Sequence, residues 1–173
     1  ADELREYALN LADSLTSGQV TIDNINWTAF GGGPLPEPTN YPTNFAGNTA
    51  PFSVLLSWID ATGGQVPSSY LILGSDQNNI ANPVDGTPVT NDPNHADGTG
   101  ALNVIQGVQS ATFGNLPSNK QYFFKIFPYT NSGTLINYKT DGSAPFVSVV
   151  TSNTVIIDSV HFTNYTMGNW QAK

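Results

Sequence analysis

The most regular period-two pattern of the chain lies in the segment 121–129. Tyr122, Phe124 and Ile126 fall on one side of an extended chain, and the residues between them fall on the other. A period of two with aromatic and β-branched residues is typical of a strand that packs against a core. A proline and a polar corner precede the segment, and an Asn-Ser-Gly turn follows it. The pattern therefore predicts a long strand here.

Shorter stretches elsewhere repeat this alternation between turn-forming residues. They predict six further strands, near 44–47 and at 53–59, 69–74, 101–106, 110–113 and 146–151. A long polar insertion, Ser75 to Gly100, separates the third strand from the fourth and contains most of the turn signals. Several short strands with turns between them indicate an all-β fold, here a seven-stranded immunoglobulin-like sandwich.

Leu116 and Tyr122 have the spacing of a tyrosine corner. In that arrangement the tyrosine ring packs inside the sandwich, and its hydroxyl bonds the upstream backbone across the end of the sandwich. The sequence therefore predicts such a corner just before the strongest strand.

Four features together resemble a fibronectin type III module. They are SVLLSW ending at Trp58, SYLIL containing Tyr70, the Leu116–Tyr122 pair, and PYTNSG at 128–133. The stretches WIDATGG, FPYTNSG and NYKTDG are similar to the variant of this module found in secreted multidomain proteins of Bacteroidetes-type bacteria. The resemblance covers about residues 38–152. It implies that Trp58, Tyr70, Leu116 and Tyr122 are structural, and that the protein is secreted or lies at the cell surface.

Both flanks of the predicted sandwich have a different character. Leucine and alanine recur at helical spacing over 2–17, so residues 1–30 are expected to be a short N-terminal helical segment. This segment either packs on the sandwich or is the end of an upstream domain, which the Gly/Pro-rich linker at 31–38 favours. The sandwich is expected over 39–152. Residues 153–173 are expected to be an extra strand or the start of a following domain.

Charge and composition exclude several classes of partner. The net charge is −8, from 13 acidic and 5 basic residues, and the bases form no patch. The chain lacks the cluster of basic side chains that neutralises phosphates in nucleic-acid binding, so no nucleic-acid partner is expected. No apolar run approaches the roughly 20 residues of a membrane span, so no membrane insertion is expected. The absence of cysteine excludes disulfides and thiolate metal sites.

No arrangement of residues predicts catalysis. His95 and His161 lie in loop-like stretches, and no serine lies in a GxSxG elbow. Asp60 and Asp141 lie beside turn residues, where hydrogen bonding to the local backbone is the ordinary role. The chain is therefore expected not to be an enzyme by itself, although it would fit a fragment of a larger enzyme whose catalytic domain is absent.

The insertion carries the densest group of acidic and amide side chains. Asp92, Asn94 and Asp97 supply oxygen ligands of the kind that Ca²⁺ prefers, so a structural calcium ion is one interpretation and no other cofactor is expected. Ala96 breaks the regular calcium-loop spacing. The alternative is that these residues only form turns.

Tyr129, Tyr138 and Trp170 lie outside the predicted inner faces and are the candidate ligand-binding residues. As exposed, coplanar rings they would stack on a glycan, whereas as buried rings they would serve in packing between domains. The predicted function is a non-catalytic extracellular module that links or presents neighbouring domains of the same polypeptide. The alternative is an adhesion module that binds carbohydrate or another surface protein.

Overall fold

The computed structural model describes residues 34–153, which contain eight strands and one short 3-10 helix at Gly133–Leu135. The strands are β1 (Thr43–Ala50), β2 (Ser53–Ile59), β3 (Ser69–Ser75), β4 (Thr99–Ile105), β5 (Ser110–Phe113), β6 (Gln121–Thr130), β7 (Asn137–Tyr138) and β8 (Phe146–Val150). Within these residues no helix is long and apolar enough to cross a membrane.

The strands form two antiparallel sheets. One has the order β1-β2-β5, and the other has the order β4-β3-β6 with β6 paired on its far side to both β7 and β8. β8 pairs with the first half of β6, and β7 pairs with its last two residues. Strand β6 is therefore the axis of the larger sheet.

The period-two pattern of the sequence accounts for these strands. In β2, Val54, Leu56 and Trp58 are buried, while Leu55 and Ile59, which alternate with them, are exposed. In β6, Tyr122, Phe124 and Ile126 face the same interior. The core between the sheets consists of these side chains with Ala61, Tyr70, Ile72, Phe113 and Leu116.

The expected all-β sandwich is present, but the number of strands differs from the prediction. The sequence pattern predicts seven strands, and the described residues contain eight. The additional strand, β7, has two residues, which is too short to show a period in sequence. The N-terminal helical segment and Trp170 lie outside the described residues, as does the tail from residue 154 onward.

A second apolar cluster lies on the outer face of the larger sheet. It contains Leu71, Ala101, Phe127, Ile136 and Tyr138. Val89, from the insertion, packs against this cluster. The insertion is therefore a cover for one face of the sheet and not only a polar loop.

The insertion also protects the outer edge of β4. Asp92 and Ala101 exchange two backbone hydrogen bonds of 2.7 Å each. The side-chain oxygen of Asn91 accepts a bond from the amide of Asn103 at 2.7 Å. Because an open edge can pair with another chain, this cover closes a site of unwanted association.

Candidate functional site

The acidic group of the insertion binds its own backbone. Oδ1 of Asp92 accepts from the amide of Asn94 at 3.1 Å, and Oδ1 of Asn94 accepts from the amide of Ala96 at 3.1 Å. Oδ1 of Asp97 accepts from both the amide and the hydroxyl of Thr99, at 3.0 and 3.1 Å. These bonds lower the pKa of Asp97, with the amide bond the largest cause. The geometry is that of successive Asx turns.

Within residues 34–153, no group of three or more histidine, aspartate or glutamate side chains is placed to hold a metal ion. The Oδ1 atoms of Asp92, Asn94 and Asp97 each already accept a bond from a backbone amide. The calcium site stays a prediction, and the turn-forming role is the one that the hydrogen bonds describe.

An ion pair fastens the start of the insertion to the corner before β6. Nζ of Lys120 donates to Oδ2 of Asp76 at 2.7 Å, and this bond is the main cause of the lowered pKa of Asp76. The Asp76 amide donates to the carbonyl of Gly98 at 2.9 Å, which ties the two ends of the insertion together. The first and last residues of the insertion are thus held together beside the start of β6.

His95, which sequence reasoning places in a loop without a role, is buried at the end of the sandwich. Its ring packs edge-on against Phe113 and Tyr122, with centroids 4.9 and 5.8 Å apart. Neither ring nitrogen makes a hydrogen bond of ordinary length and angle among the described residues, although the backbone of Pro93 lies near enough to favour the protonated ring. Burial lowers the pKa of His95. Residues of β3, β4, β5 and β6, which are far apart in sequence, form this environment, so no local sequence signal points to it.

A cleft of about 640 Å³ opens between the insertion and the outer face of β3 and β4. Leu73 and Ala101 contribute to its apolar lining. Its polar lining consists mainly of neutral amide and hydroxyl side chains, among them Ser75, Asn79, Asn82 and Thr90. The sequence indicates the insertion but not a cleft beneath it.

The candidate ligand-binding tyrosines are packed together. Tyr138 has no exposed surface, and its ring meets Tyr129 edge-on with planes 62° apart. The Tyr138 hydroxyl donates to the carbonyl of Thr87 at 3.4 Å, and the Tyr129 hydroxyl donates to Asn103 at 3.1 Å. These rings do not form the coplanar, exposed platform that stacking on a sugar would need. They join the insertion to the sheet.

A different aromatic pair is nearly parallel. Phe123 and Phe146 have ring planes 23° apart and centroids 6.1 Å apart, and Phe146 is exposed. They are diagonal neighbours on β6 and β8, because Phe123 pairs with Ser148 and Lys125 with Phe146. Diagonal aromatic pairs stabilise a sheet, which is a sufficient reason for this geometry.

The residues expected to be structural all lie in the core. Trp58 and Tyr70 meet edge-on at 5.6 Å, and the Tyr70 hydroxyl accepts from the amide of Ala61 at 2.7 Å. Leu116 and Tyr122 are buried as well. Tyr70 rather than Tyr122 is therefore the tyrosine whose hydroxyl closes a loop.

The predicted hydrogen bond of the tyrosine corner was wrong. The Tyr122 hydroxyl is buried and has no partner among the described residues. The corner is held by Thr151 instead, whose hydroxyl donates to the carbonyl of Pro117 at 2.7 Å and accepts from the amide of Lys120 at 3.0 Å. These bonds meet the backbone's hydrogen-bonding needs without the tyrosine.

The incoming chain is fixed at the far end of β6. The Leu35 amide donates to Asn131 at 2.8 Å, and the Asn131 side-chain amide donates back to the carbonyl of Leu35 at 2.8 Å. The hydroxyl of Thr130 donates to the carbonyl of Pro36 at 2.8 Å. The proline-rich stretch, expected as a linker, is therefore bound to the module.

A buried lysine adds charge to this entry point. Nζ of Lys139 lies 3.2 Å from Glu37 and 2.5 Å from Asp141. Burial disfavours the ammonium, but the hydrogen bonds to Asp141 and Glu37 outweigh it, so the pKa of Lys139 is raised. Its carbonyl accepts from the Tyr41 hydroxyl at 3.0 Å. The segment at 35–41 is thus held by main-chain, side-chain and ionic contacts.

The outgoing chain is fixed at the opposite end of β6. The Thr151 amide donates to the carbonyl of Lys120 at 3.0 Å, and the Asn119 amide donates to the carbonyl of Thr151 at 3.1 Å. Thr151 is almost fully buried. The chain therefore leaves the module where β6 begins, and it enters where β6 ends.

This arrangement defines the class of protein. Sheet β1-β2-β5 facing sheet β4-β3-β6-β8 is an immunoglobulin-like β-sandwich. Its paired Trp58 and Tyr70, and its buried Leu116 and Tyr122, agree with the fibronectin type III resemblance of the sequence.

No protein-family model and no curated protein matches the chain. Solved structures similar to it include the fn3 domain of human contactin 1, with TM-score 0.48, 17% identity and coverage of 81% of this chain and 95% of that one. They also include an FN3 domain of human collagen XX, with TM-score 0.41, 19% identity and coverage of 69% and 100%. The FN1-FN3 domains of chicken CNTN1 have TM-score 0.47 and 17% identity over 67% of this chain, which spans 32% of that one.

Proposed function

We propose that residues 34–153 are a non-catalytic spacer module of a larger extracellular protein. The module sets the distance and orientation between the segments that precede and follow it. The observation that carries this proposal is the position of the two clamped ends, one at each end of β6.

The separation of the ends follows from the length of the strand. β6 has 10 residues, Gln121–Thr130. At about 3.4 Å per residue, such a strand spans about 30 Å. A chain that enters at Leu35, beside Asn131, and leaves at Thr151 therefore crosses the full length of the module.

The module sets the distance between its neighbours only if the entering and leaving segments are fixed to the sandwich. A Gly/Pro-rich connection that moves freely samples many lengths. Here Leu35 and Pro36 are bonded to the end of β6, and Thr151 is buried at its start. Both connections therefore move with the sandwich and pass its orientation to their neighbours.

Backbone ¹⁵N relaxation of the full chain tests the clamps. The amides of Leu35, Glu37 and Thr151 are expected to have order parameters near those of the strands, about 0.85. Amides of β6 serve as the rigid reference. Values below about 0.6 at Leu35 and Glu37 would describe a flexible linker and would contradict the spacer proposal.

The cleft beneath the insertion favours a second candidate function, the binding of a glycan or of a surface protein. Its volume of about 640 Å³ lies within the range of small-molecule sites, and its neutral amides suit hydroxyl-bearing ligands. A glycan array with the full chain and with Ala81→Trp, which puts a large side chain into the lining of the cleft, tests this function. Binding that the variant loses would support it, and no saturable binding by the native chain would exclude a glycan ligand.

A further inference from the structure

The two edges of the larger sheet differ in how they are covered. At β4 the insertion bonds to Ala101 through the backbone of Asp92 and to Asn103 through the side chain of Asn91. At the other edge β8 pairs with β6 and, within residues 34–153, with no other strand. One side of β8 therefore faces away from the sheet.

The backbone groups on that side follow from the alternation of an antiparallel strand. The Thr151 amide donates to the carbonyl of Lys120, and the Pro145 carbonyl accepts from the amide of Ile126, so the odd-numbered residues of this stretch bond toward β6. The even-numbered residues of β8 direct their amides and carbonyls outward. They are Phe146, Ser148 and Val150.

The same residues carry their side chains on the exposed face of the sheet. Phe146 is 44% exposed and Val150 is 51% exposed. Strand β8 contains no charged residue, no proline and no glycine, although lysine and proline are the residues that commonly protect an open edge. Just past the strand, the Ser152 amide donates to the carbonyl of Ala50 at 3.3 Å. The unprotected stretch is therefore 146–150.

The edges of the smaller sheet lack this combination. Strand β5 has only four residues, and its exposed side chains, Ser110 and Thr112, are polar. The register of β1 against β2 is irregular between Thr43 and Ala46. Short strands and irregular edges resist the addition of another strand. Strand β8 is thus the edge best suited to it.

We propose that β8 is a docking site for β8 of a second copy of the chain, in an antiparallel pair centred on Ser148. The outward residues are spaced evenly about Ser148, so a twofold axis there brings each outward amide to an outward carbonyl of the other copy. Phe146 of each copy then lies opposite Val150 of the other. An aromatic ring opposite a β-branched side chain is a favourable cross-strand pair.

Charge and topology favour a second copy over an unrelated strand. Each copy has a net charge of −8, but β8 is neutral, so two copies meet here without direct contact between like charges. Repeating β4-β3-β6-β8 about the twofold gives one continuous sheet, which ends at a covered β4 strand on both sides. The pairing therefore stops at two copies and does not extend into a fibre.

The dimer is expected to be weak. A single strand pair buries less surface than the roughly 1,200–2,000 Å² of a stable complex, so we expect a Kd of about 0.1–1 mM. Sedimentation equilibrium of the full chain between about 10 µM and 1 mM should therefore show a mass that rises toward that of a dimer. A chain that stays monomeric over this range would overturn the proposal.

Ser148→Pro removes the central outward amide, which makes no bond to β6. Proline is tolerated on an edge strand where its missing amide faces outward, so the sandwich should fold while the dimer weakens by at least about 5-fold. Thr112→Pro is the matched control, because the Thr112 amide faces away from β2, and it should dimerise like the native chain. Equal dimerisation of Ser148→Pro and the native chain would overturn the proposal.

Opposite charges at Ser148 test whether the partner is a second copy. Ser148→Lys and Ser148→Glu each place like charges together at the twofold, whereas a mixture of the two variants pairs opposite charges. The mixture should associate at least about 2-fold more tightly than either variant alone, and the same pair of changes at Thr112 should give no difference. No gain in the Ser148 mixture would overturn the proposal. If Ser148→Pro does not fold, this comparison decides.

Hydrogen exchange separates the second copy from a cover within the same chain. At about 10 µM, where the chain is monomeric, the amides of Ser148 and Val150 should exchange freely, and they should become protected at about 1 mM. The amide of Ile126, inside the sheet, should be protected at both concentrations. Full protection of Ser148 and Val150 in the monomer would show that another segment of the chain already occupies this edge, and would overturn the proposal.

Discussion

The side chain of Asn131 forms two hydrogen bonds of 2.8 Å with the backbone of Leu35. Its oxygen accepts from the Leu35 amide, and its nitrogen donates to the Leu35 carbonyl. Asn131 sits at φ 61°, a left-handed conformation that asparagine tolerates better than most residues. One residue therefore ends β6, turns the chain and holds the incoming segment. This relationship makes the entry to the module part of the sandwich.

Asn131→Gly is expected to free the incoming chain while leaving the sandwich folded. Glycine keeps the left-handed backbone, so the change removes the two side-chain bonds to Leu35 and the weaker one to the Thr130 hydroxyl, each worth about 0.5–1.5 kcal/mol. The ¹⁵N order parameter of Leu35 should fall while those of β6 stay unchanged. Asn115→Gly, at φ 57°, is the matched control and should leave Leu35 ordered. An unchanged order parameter at Leu35 in Asn131→Gly would mean that the clamp lies elsewhere.

Removing the hydroxyl from two buried tyrosines should have unequal effects. Tyr70→Phe leaves the Ala61 amide without the partner it now has at 2.7 Å, which costs about 1–3 kcal/mol. Tyr122→Phe removes a hydroxyl that has no partner in the described residues, so it should be neutral or slightly stabilising. Urea unfolding of both variants measures the difference. A larger loss for Tyr122→Phe would indicate that its hydroxyl makes the tyrosine-corner bond after all.

The glycine beneath His95 should be intolerant of a side chain. Gly100→Ala forces a Cβ into the imidazole, and overpacking of this kind costs about 1–3 kcal/mol. Gly114→Ala is the control, because a Cβ there meets nothing within 4 Å. In the double variant with His95→Ala the penalty of Gly100→Ala should shrink, which a double-mutant cycle of urea midpoints detects. Strict additivity of the two changes would contradict the contact.

Calcium is expected to have no effect on the stability of the insertion if its carboxylates serve only as turn acceptors. Thermal melts of the native chain with calcium and then with chelator should coincide. The same two melts of the double variant Asp92→Ala, Asp97→Ala distinguish the loss of turns from the loss of an ion. Loss of the turns lowers the melting temperature equally with calcium and with chelator. A shift on chelation in the native chain alone would establish an ion site.

Strands and core are predictable from the sequence where one face is buried. β2 alternates along its whole length and β6 alternates over its first six residues, so the period-two pattern alone assigns Trp58 and Tyr122 to the interior. The role of the insertion is not predictable in this way, because its contacts join residues far apart in sequence. Val89 reaches the second apolar cluster, and His95 fills a gap between two paired glycines, and neither position has a local pattern. The packing of Tyr138 is not predictable for the same reason, since β7 is too short to reveal that this residue faces a covered sheet.

The spacer account is tested most directly by the distance across the module in solution. The chain has no cysteine, so spin labels at Leu35→Cys and Asn153→Cys are unique. Double electron–electron resonance on the full chain should give one narrow distribution centred at about 30 to 40 Å, the length of β6 and its two flanking turns. A pair at Leu55→Cys and Val150→Cys, both on strands, sets the width expected for rigid sites. A distribution between residues 35 and 153 as narrow as this reference is the predicted result, and a broad one extending over tens of ångströms would contradict the account.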